Sequence, residues 1–276
     1  MKRRAQPWLG TLVEVSIAGE LDDAGFNTAF NAAFSAIARV HRLMSFHDAG
    51  SDVSRINRAA AGATVEIDPT TWEVLDGALA VGRATGGMFD IGCAPVLAGW
   101  GYLPAPTERQ PERAAADSIL GLRQSSQVEK RGDGWIDLGG VAKGYAVDAA
   151  VAALRGVGIE SGCVNAGGDL RVFGTEPFTV AVRDPVQPAA MARQLSLRNE
   201  ALATSAGYFS RRRIGGRDCS ALVDGRNGQP IATGISASVR APACMLADAL
   251  TKAVLASGDA RLPVLQHFGA SAFLLQ

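Results

Sequence analysis

Cysteine is scarce in this chain of 276 residues. The four present, Cys93, Cys163, Cys219 and Cys244, form no Cys-x-x-Cys pair and no Cys/His ligand spacing, which argues against a zinc site or a disulfide framework and leaves reduced, partly buried thiols as the expectation. Histidine is scarcer still, at three. His41 falls in a long helical pattern and His267 near the C-terminus, so no Ser/His/Asp triad is signalled. Charge of one sign is also missing: 27 Lys+Arg stand against 27 Asp+Glu, and neither nucleic acid nor an anionic membrane is expected as a broad partner. No apolar run precedes Pro7; neither a signal peptide nor a membrane span is expected, and the expected location is cytoplasmic. Walker A and a GxGxxG after a strand are absent too, so P-loop and Rossmann readings fail.

The chain does have enough apolar residues, 47% of the total, to bury a large core at this length. Phe26, Phe30, Phe34, Ile37, Val40 and Leu43 recur at helical spacing from Asp22 to Met44, Ser51 is placed to cap a short helix, and Pro69 to Thr85 and Cys244 to Ser257 read as further helices. Leu9 to Ile17, Val65 to Ile67, Trp135 to Leu138, Leu170 to Phe173, Phe178 to Val182, Gln194 to Leu197, Glu200 to Thr204, Asp218 to Val223 and Ile235 to Arg240 read as strands, with Thr204 to Tyr208 breaking one of them. These elements are segregated rather than in βαβ alternation, so the expected class is α+β. A single domain, 1–276, is expected, with a lobe boundary near 103–113 where Pro104, Pro106 and Pro111 cluster.

The stretch 137–174 organises the rest. A short strand ends at Leu138, Gly139-Gly140 turns, and Val141 to Leu154 carries helical spacing. Strand, Gly turn and helix start form a phosphate-binding layout, because the first helical turn offers unpaired N–H groups and the positive end of the dipole. Lys143 in that turn is read as a ligand contact, or else as a lysine whose stem covers apolar surface. Acidic residues recur beside Gly-rich turns at Asp90, Asp137, Asp169 and Asp224. Asp248 stands within an apolar helix, with Lys252 one turn on. The two are either an exposed i,i+4 pair or a site carboxylate that holds a metal or pairs beside a ligand phosphate.

At these residues the sequence resembles the ApbE-type flavin transferases, the FAD:protein FMN transferase family. Leu9-Gly-Thr-Leu-Val, Met44-Ser-Phe-His, Ser51 to Asn57, Gly87-Met-Phe-Asp90, Asp137-Leu-Gly-Gly-Val-Ala-Lys-Gly-Tyr-Ala-Val-Asp148, Asn165-Ala-Gly-Gly-Asp169, Ala203 to Tyr208, Val223 to Pro230 and Ala247-Asp-Ala-Leu follow in the family's order. The resemblance implies an α+β fold with mixed or antiparallel sheets, packed helices and FAD between two lobes. It implies FAD contacts at His47, Met88, Phe89, Asp90, Asp137, Lys143 and Val223, and an Mg²⁺ site at the Gly140 carbonyl and the Asp248 carboxylate. The implied reaction moves the FMN half of FAD to a Thr or Ser hydroxyl of an acceptor flavoprotein and releases AMP.

Three positions depart from the family's pattern. Its His three residues before the Asp of the Val223–Pro230 segment is Ala221 here, which removes the usual general base and leaves Asp224 as a candidate. Its metal-ligating Thr four residues after Asp248 is Lys252, a second catalytic candidate, with Thr251 one place early; an ammonium there takes the metal's space and supplies its charge. His47 stands where an aromatic stacks on the flavin. These departures leave open an FAD-binding protein without transferase activity, acting as carrier or regulator, and an FAD pyrophosphatase.

Overall fold

Seven strands follow one another across the main sheet in the same order in which they occur along the chain. In the computed structural model, which describes residues 1–187, 190–207, 210–231 and 234–276, they are β1 (Lys2–Trp8), β2 (Thr11–Ile17), β3 (Gly162–Ala166), β4 (Asp169–Phe173), β5 (Ala201–Ala206), β6 (Ser236–Ala241) and β7 (Ser271–Leu275). Every neighbouring pair is antiparallel. The long excursions between strands supply the other elements. Three of these are the helices α1 (Asp23–Met44), α2 (Ala142–Gly156) and α3 (Cys244–Ser257). Apolar residues of all three join Val13, Val15, Val164, Ala203 and Val239 of the sheet in the main core. The opposite face, with Cys163, Leu170, Val172 and Leu202, packs on the hairpin Phe178–Arg183 and Met191–Leu197. The fold is α+β, as the pattern predicts.

Helix α1 starts where Asp22 accepts a hydrogen bond from the Gly25 N–H at 2.7 Å, and it buries Phe26, Phe30, Phe34, Ile37 and Val40 along one stripe. Each such side chain contributes about 1.5–3 kcal/mol on burial, enough to orient the helix on the sheet. The expected strand at Leu9 to Ile17 is found as β2, with its first two residues in the turn from β1 instead: Leu9 and Gly10 both have positive φ, 55° and 72°. Trp135 to Leu138, also expected as a strand, joins no ladder, because its backbone bonds go elsewhere, as described below. Asp218 to Val223 divides into the strand Arg217–Cys219 and an isolated pair between Val223 and Pro230. Strand β5 continues to Ala206 through the expected break, while Tyr208 lies outside the described residues.

Alternation along β4 prepares the site. Leu170 and Val172 face the hairpin, whereas Asp169 and Arg171 face α2, where they pair with Lys143 and Asp148. Two residues of strand advance about 6.6 Å and five residues of helix about 7.5 Å, so both ion pairs fit at once.

A smaller antiparallel sheet pairs Gln127–Lys130 with Thr64–Glu66 and with Leu120–Arg123. It contains a buried cation. Lys130 is 1% exposed, and among the described residues its ammonium donates to the Gly134 carbonyl and to no carboxylate. Burial pushes its pKa down to about 8, against a partial upward pull from Asp133. A Lys depressed in the folded state binds its proton more weakly there than in the unfolded chain, so stability is reduced below about pH 8 and recovers as pH rises from about 8 towards 10.5. Lys130→Met is therefore expected to stabilise the protein at pH 7 by about 1–3 kcal/mol, with the gain shrinking near pH 10. Urea unfolding of both proteins at the two pH values measures this, and an equal gain at both would refute the burial cost.

Candidate functional site

The turn before α2 is held from outside by one side chain. Ser51 caps the helix Asp52–Arg58 by accepting from the Ser54 N–H at 3.0 Å. At the other end of that helix Asn57 exchanges both bonds with Ile136, its Nδ2 donating to the carbonyl at 2.9 Å and its Oδ1 accepting from the N–H at 2.8 Å. The Asp137 N–H donates to the Ile91 carbonyl at 2.8 Å. These bonds replace a strand ladder and fix the carboxylate of Asp137 over Gly139. Burial raises the pKa of Asp137 above the usual carboxylate value, tempered by the Gly139 N–H and by His47 and Lys252 nearby.

Helices α2 and α3 then cross with their first two turns side by side and in opposite sense. Neither N-terminus has a capping side chain of its own. Each receives one from the other helix: Asp248 Oδ2 accepts from the Gly144 N–H at 3.1 Å, and Asp148 accepts from the Cys244 and Met245 N–H groups at 3.0 and 2.9 Å. Gly144 permits the approach, since a Cβ there would lie 2.3 Å from the Cys244 carbonyl oxygen.

At this crossing four charges converge. Lys143 Nζ, the nitrogen the Gly-Gly layout predicts at the helix start, pairs with Asp169 and, at 3.3 Å, with Asp248 Oδ2. Lys252 Nζ pairs with Asp248 Oδ1 and donates to the Asp248 backbone carbonyl at 2.9 Å. Asp248 is fully buried, so the exposed i,i+4 reading of Asp248 and Lys252 fails. Burial alone would raise the pKa of Asp248, but Lys143 and Lys252 outweigh it and hold the group below its ordinary value. Asp169 goes the other way, raised first by burial and then by the charge of Asp248. Burial works against the charge of Lys143, yet Asp169 and Asp248 hold it protonated well above the usual range.

The rim is built from two turns in contact. The Gly225 N–H donates to the Met88 carbonyl at 3.1 Å, and a Cβ on Gly225 would lie 2.3 Å from the Gly87 carbonyl oxygen and 2.7 Å from Asp90 Cβ. Phe89 is buried beside Gly140, where an added Cβ would meet Phe89 Cε2 and Lys252 Cε, each at 3.4 Å. Asp137, Gly140, Phe89, Lys143, Asp248 and Lys252 are thus neighbours, with exposed His47 acting on Asp137. Asp90 is committed to backbone, its Oδ1 accepting from Gly92 and Ala116 at 2.7 and 3.1 Å. Val223 is buried in its pair with Pro230. Asp224 is gripped by Arg226, whose Nη2 lies 2.7 Å from Oδ2; against the upward push of burial, that guanidinium holds its carboxyl below the usual range. Before Asp224 accepts a proton that pair must open.

Three contributors carry no assigned role in the sequence, Asp169 standing out there only as an acidic residue beside a Gly-rich turn. Asp169, Asp148 and Asn57 all sit within motifs singled out from the sequence, but their partners lie 26, 96 and 79 residues away.

The implied metal does not fit this donor set. Both oxygens of Asp248 are engaged by ammonium groups, and Lys252 fills the space beside Gly140. The Thr251 hydroxyl is fully buried and already engaged, donating to the Asp248 carbonyl at 2.6 Å and meeting Ser205 Oγ at 2.7 Å. Among the described residues no three His, Cys, Asp or Glu side chains converge to hold an ion.

The profile of the ApbE family matches residues 9–274. The FAD:protein FMN transferase of Rhodobacter capsulatus is 29% identical over 92% of this chain, which spans 51% of that relative's length. The FAD:protein FMN transferase of Vibrio cholerae is 25% identical over 92% of this chain and 81% of its own. Among solved structures, the ApbE protein of Thermotoga maritima superposes with a TM-score of 0.85 at 26% identity, covering 99% of this chain and 93% of that one. The apo flavinyl transferase ApbE of Pseudomonas stutzeri gives 0.83 at 23% identity, covering 99% and 90%, a likeness of fold.

Proposed function

The chain belongs to the ApbE family, and from that premise we propose that it transfers the FMN moiety of FAD to a Thr or Ser hydroxyl of a target protein and releases AMP. The observation that carries the proposal is the pair of ammonium groups, Lys143 and Lys252, set at a helix start beside Asp137 and Gly140. Such an arrangement suits a pyrophosphate, whose charge grows on the leaving phosphate as the bond breaks. His47, Met88, Phe89, Asp90 and Val223 are assigned to the flavin nucleotide's surroundings.

In the proposed step the acceptor oxygen attacks the phosphorus of the FMN half. A new P–O ester bond forms, the bridging P–O bond of the pyrophosphate breaks with its electron pair leaving on AMP, and the hydroxyl proton is released. Lys143 and Lys252 neutralise phosphate oxygens. Asp224 is the assigned proton acceptor, which requires Arg226 to swing away when the acceptor docks. Magnesium has no part in this step, because the residues present do not fit it. The proposed location is the cytoplasm, where four unpaired cysteines stay reduced; no helix among the described residues is long and apolar enough to cross a membrane.

A second reading, FAD binding without transfer, is favoured by one observation: Ala221 stands where the family's base is expected. Incubating the protein with FAD and a Thr-containing acceptor domain, then quantifying AMP and acceptor-bound flavin, separates the two. Equal amounts of both products are expected. AMP without flavinylated acceptor would mean hydrolysis, and intact FAD co-eluting with the protein would leave the binding reading alone.

A further inference from the structure

We propose that Lys252 is a built-in substitute for a divalent cation, so that this chain binds its phosphate-bearing ligand, and acts on it, without metal. The proposal deepens the flavin transfer reading and takes its ligand from it, but its statement about metal stands on the cluster alone.

Asp248 offers two oxygens, and each already meets an ammonium. A divalent ion approaching Oδ1 has to displace Lys252 Nζ, whose side chain is 12% exposed and seated against Gly140. The displaced ammonium stays on the same helical turn as a like charge beside the ion, which disfavours metal binding. Two further oxygens beside it are also engaged. The Asp248 carbonyl accepts from both Lys252 Nζ and the Thr251 hydroxyl, and Thr251 in turn meets Ser205. The cation itself is not used up. Lys252 Nζ has three N–H donors, and its two partners among the described residues, Asp248 Oδ1 and Asp248 O, leave one for an incoming phosphate oxygen. Unlike a metal, this cation is covalently tethered and needs no loading.

The test uses the full chain and reads Mn²⁺ by electron paramagnetic resonance, with and without FAD, together with FAD affinity from flavin fluorescence in EDTA and in Mg²⁺. Wild type is expected to bind no stoichiometric Mn²⁺ beyond that held by FAD in buffer, and its FAD affinity is expected to agree within about twofold in the two media. Lys252→Thr is expected to lose about tenfold or more in affinity in EDTA, the worth of one charged hydrogen bond, and to regain it with Mn²⁺ while binding one ion per chain. Lys252→Met is expected to show the loss without the rescue. One Mn²⁺ per wild-type chain, or an FAD affinity that rises tenfold with Mg²⁺, overturns the proposal. Should Lys252→Thr fail to fold, the wild-type titration decides by itself. Should wild type bind FAD in neither medium, the flavin transfer reading fails, while the Mn²⁺ titration still answers the question of metal.

Discussion

Asp248→Ala is expected to destabilise the protein by about 3–5 kcal/mol, the usual cost of removing one partner from a buried ion pair. Two ammonium groups lose their common carboxylate at once. Lys252 keeps only the Asp248 carbonyl, and Lys143 is left with Asp169. The Gly144 N–H also loses its acceptor in a place closed to water. The excess positive charge is the larger part of this cost, so removing it has to help: Asp248→Ala combined with Lys252→Met is expected to be more stable than Asp248→Ala alone, a coupling that a double-mutant cycle reads directly. Urea midpoints of the four proteins are the measurement. If Asp248→Ala unfolds within about 1 kcal/mol of wild type, the cluster is solvated and its charges are worth no more than surface pairs.

Gly144→Ala is expected to cost about 2–4 kcal/mol, although alanine is the better helix former by about 1 kcal/mol. The atoms in its way are backbone: a Cβ would lie 2.3 Å from the Cys244 carbonyl oxygen, 2.6 Å from its carbon and 2.8 Å from Met245 Cα. Because no rotamer change relieves such contacts, α3 has to move away from α2, and both inter-helix caps lengthen. Gly156 in the same helix is the control. Nothing lies within 4 Å of its Cβ position, so Gly156→Ala is expected to be neutral or to stabilise by up to about 1 kcal/mol. Equal effects at the two glycines would mean that the crossing is looser than described.

Much of this was legible from the residues. Helix α1 and helix α3 follow from an unbroken apolar period with their boundaries nearly in place, and the Gly139-Gly140 turn with Lys143 points to the place where the charged cluster lies. Most of what escaped has a common cause, that the partner is distant. Trp135 to Leu138 has the look of a strand, but Asn57 satisfies its backbone in place of a neighbouring chain. Strand β3, Gly-Cys-Val-Asn-Ala, has little β propensity of its own and is extended because β2 and β4 flank it. The role of Asp169 depends on strand alternation bringing it opposite a helical Lys, and the tight Asp224–Arg226 pair depends on the shape of a turn.

The exchange of caps between α2 and α3 also bears on the order of events during folding. The carboxylates that complete each helix start lie 104 and 96 residues away along the chain, a separation whose closure entropy is met only when the strands between them have assembled. Before that moment α2 carries a lysine at its positive end with no carboxylate to receive it, a segment that frays rather than waits. Amide hydrogens of the first turns of both helices should therefore exchange with one shared opening free energy, and a ligand that binds at the crossing should slow the two sets equally.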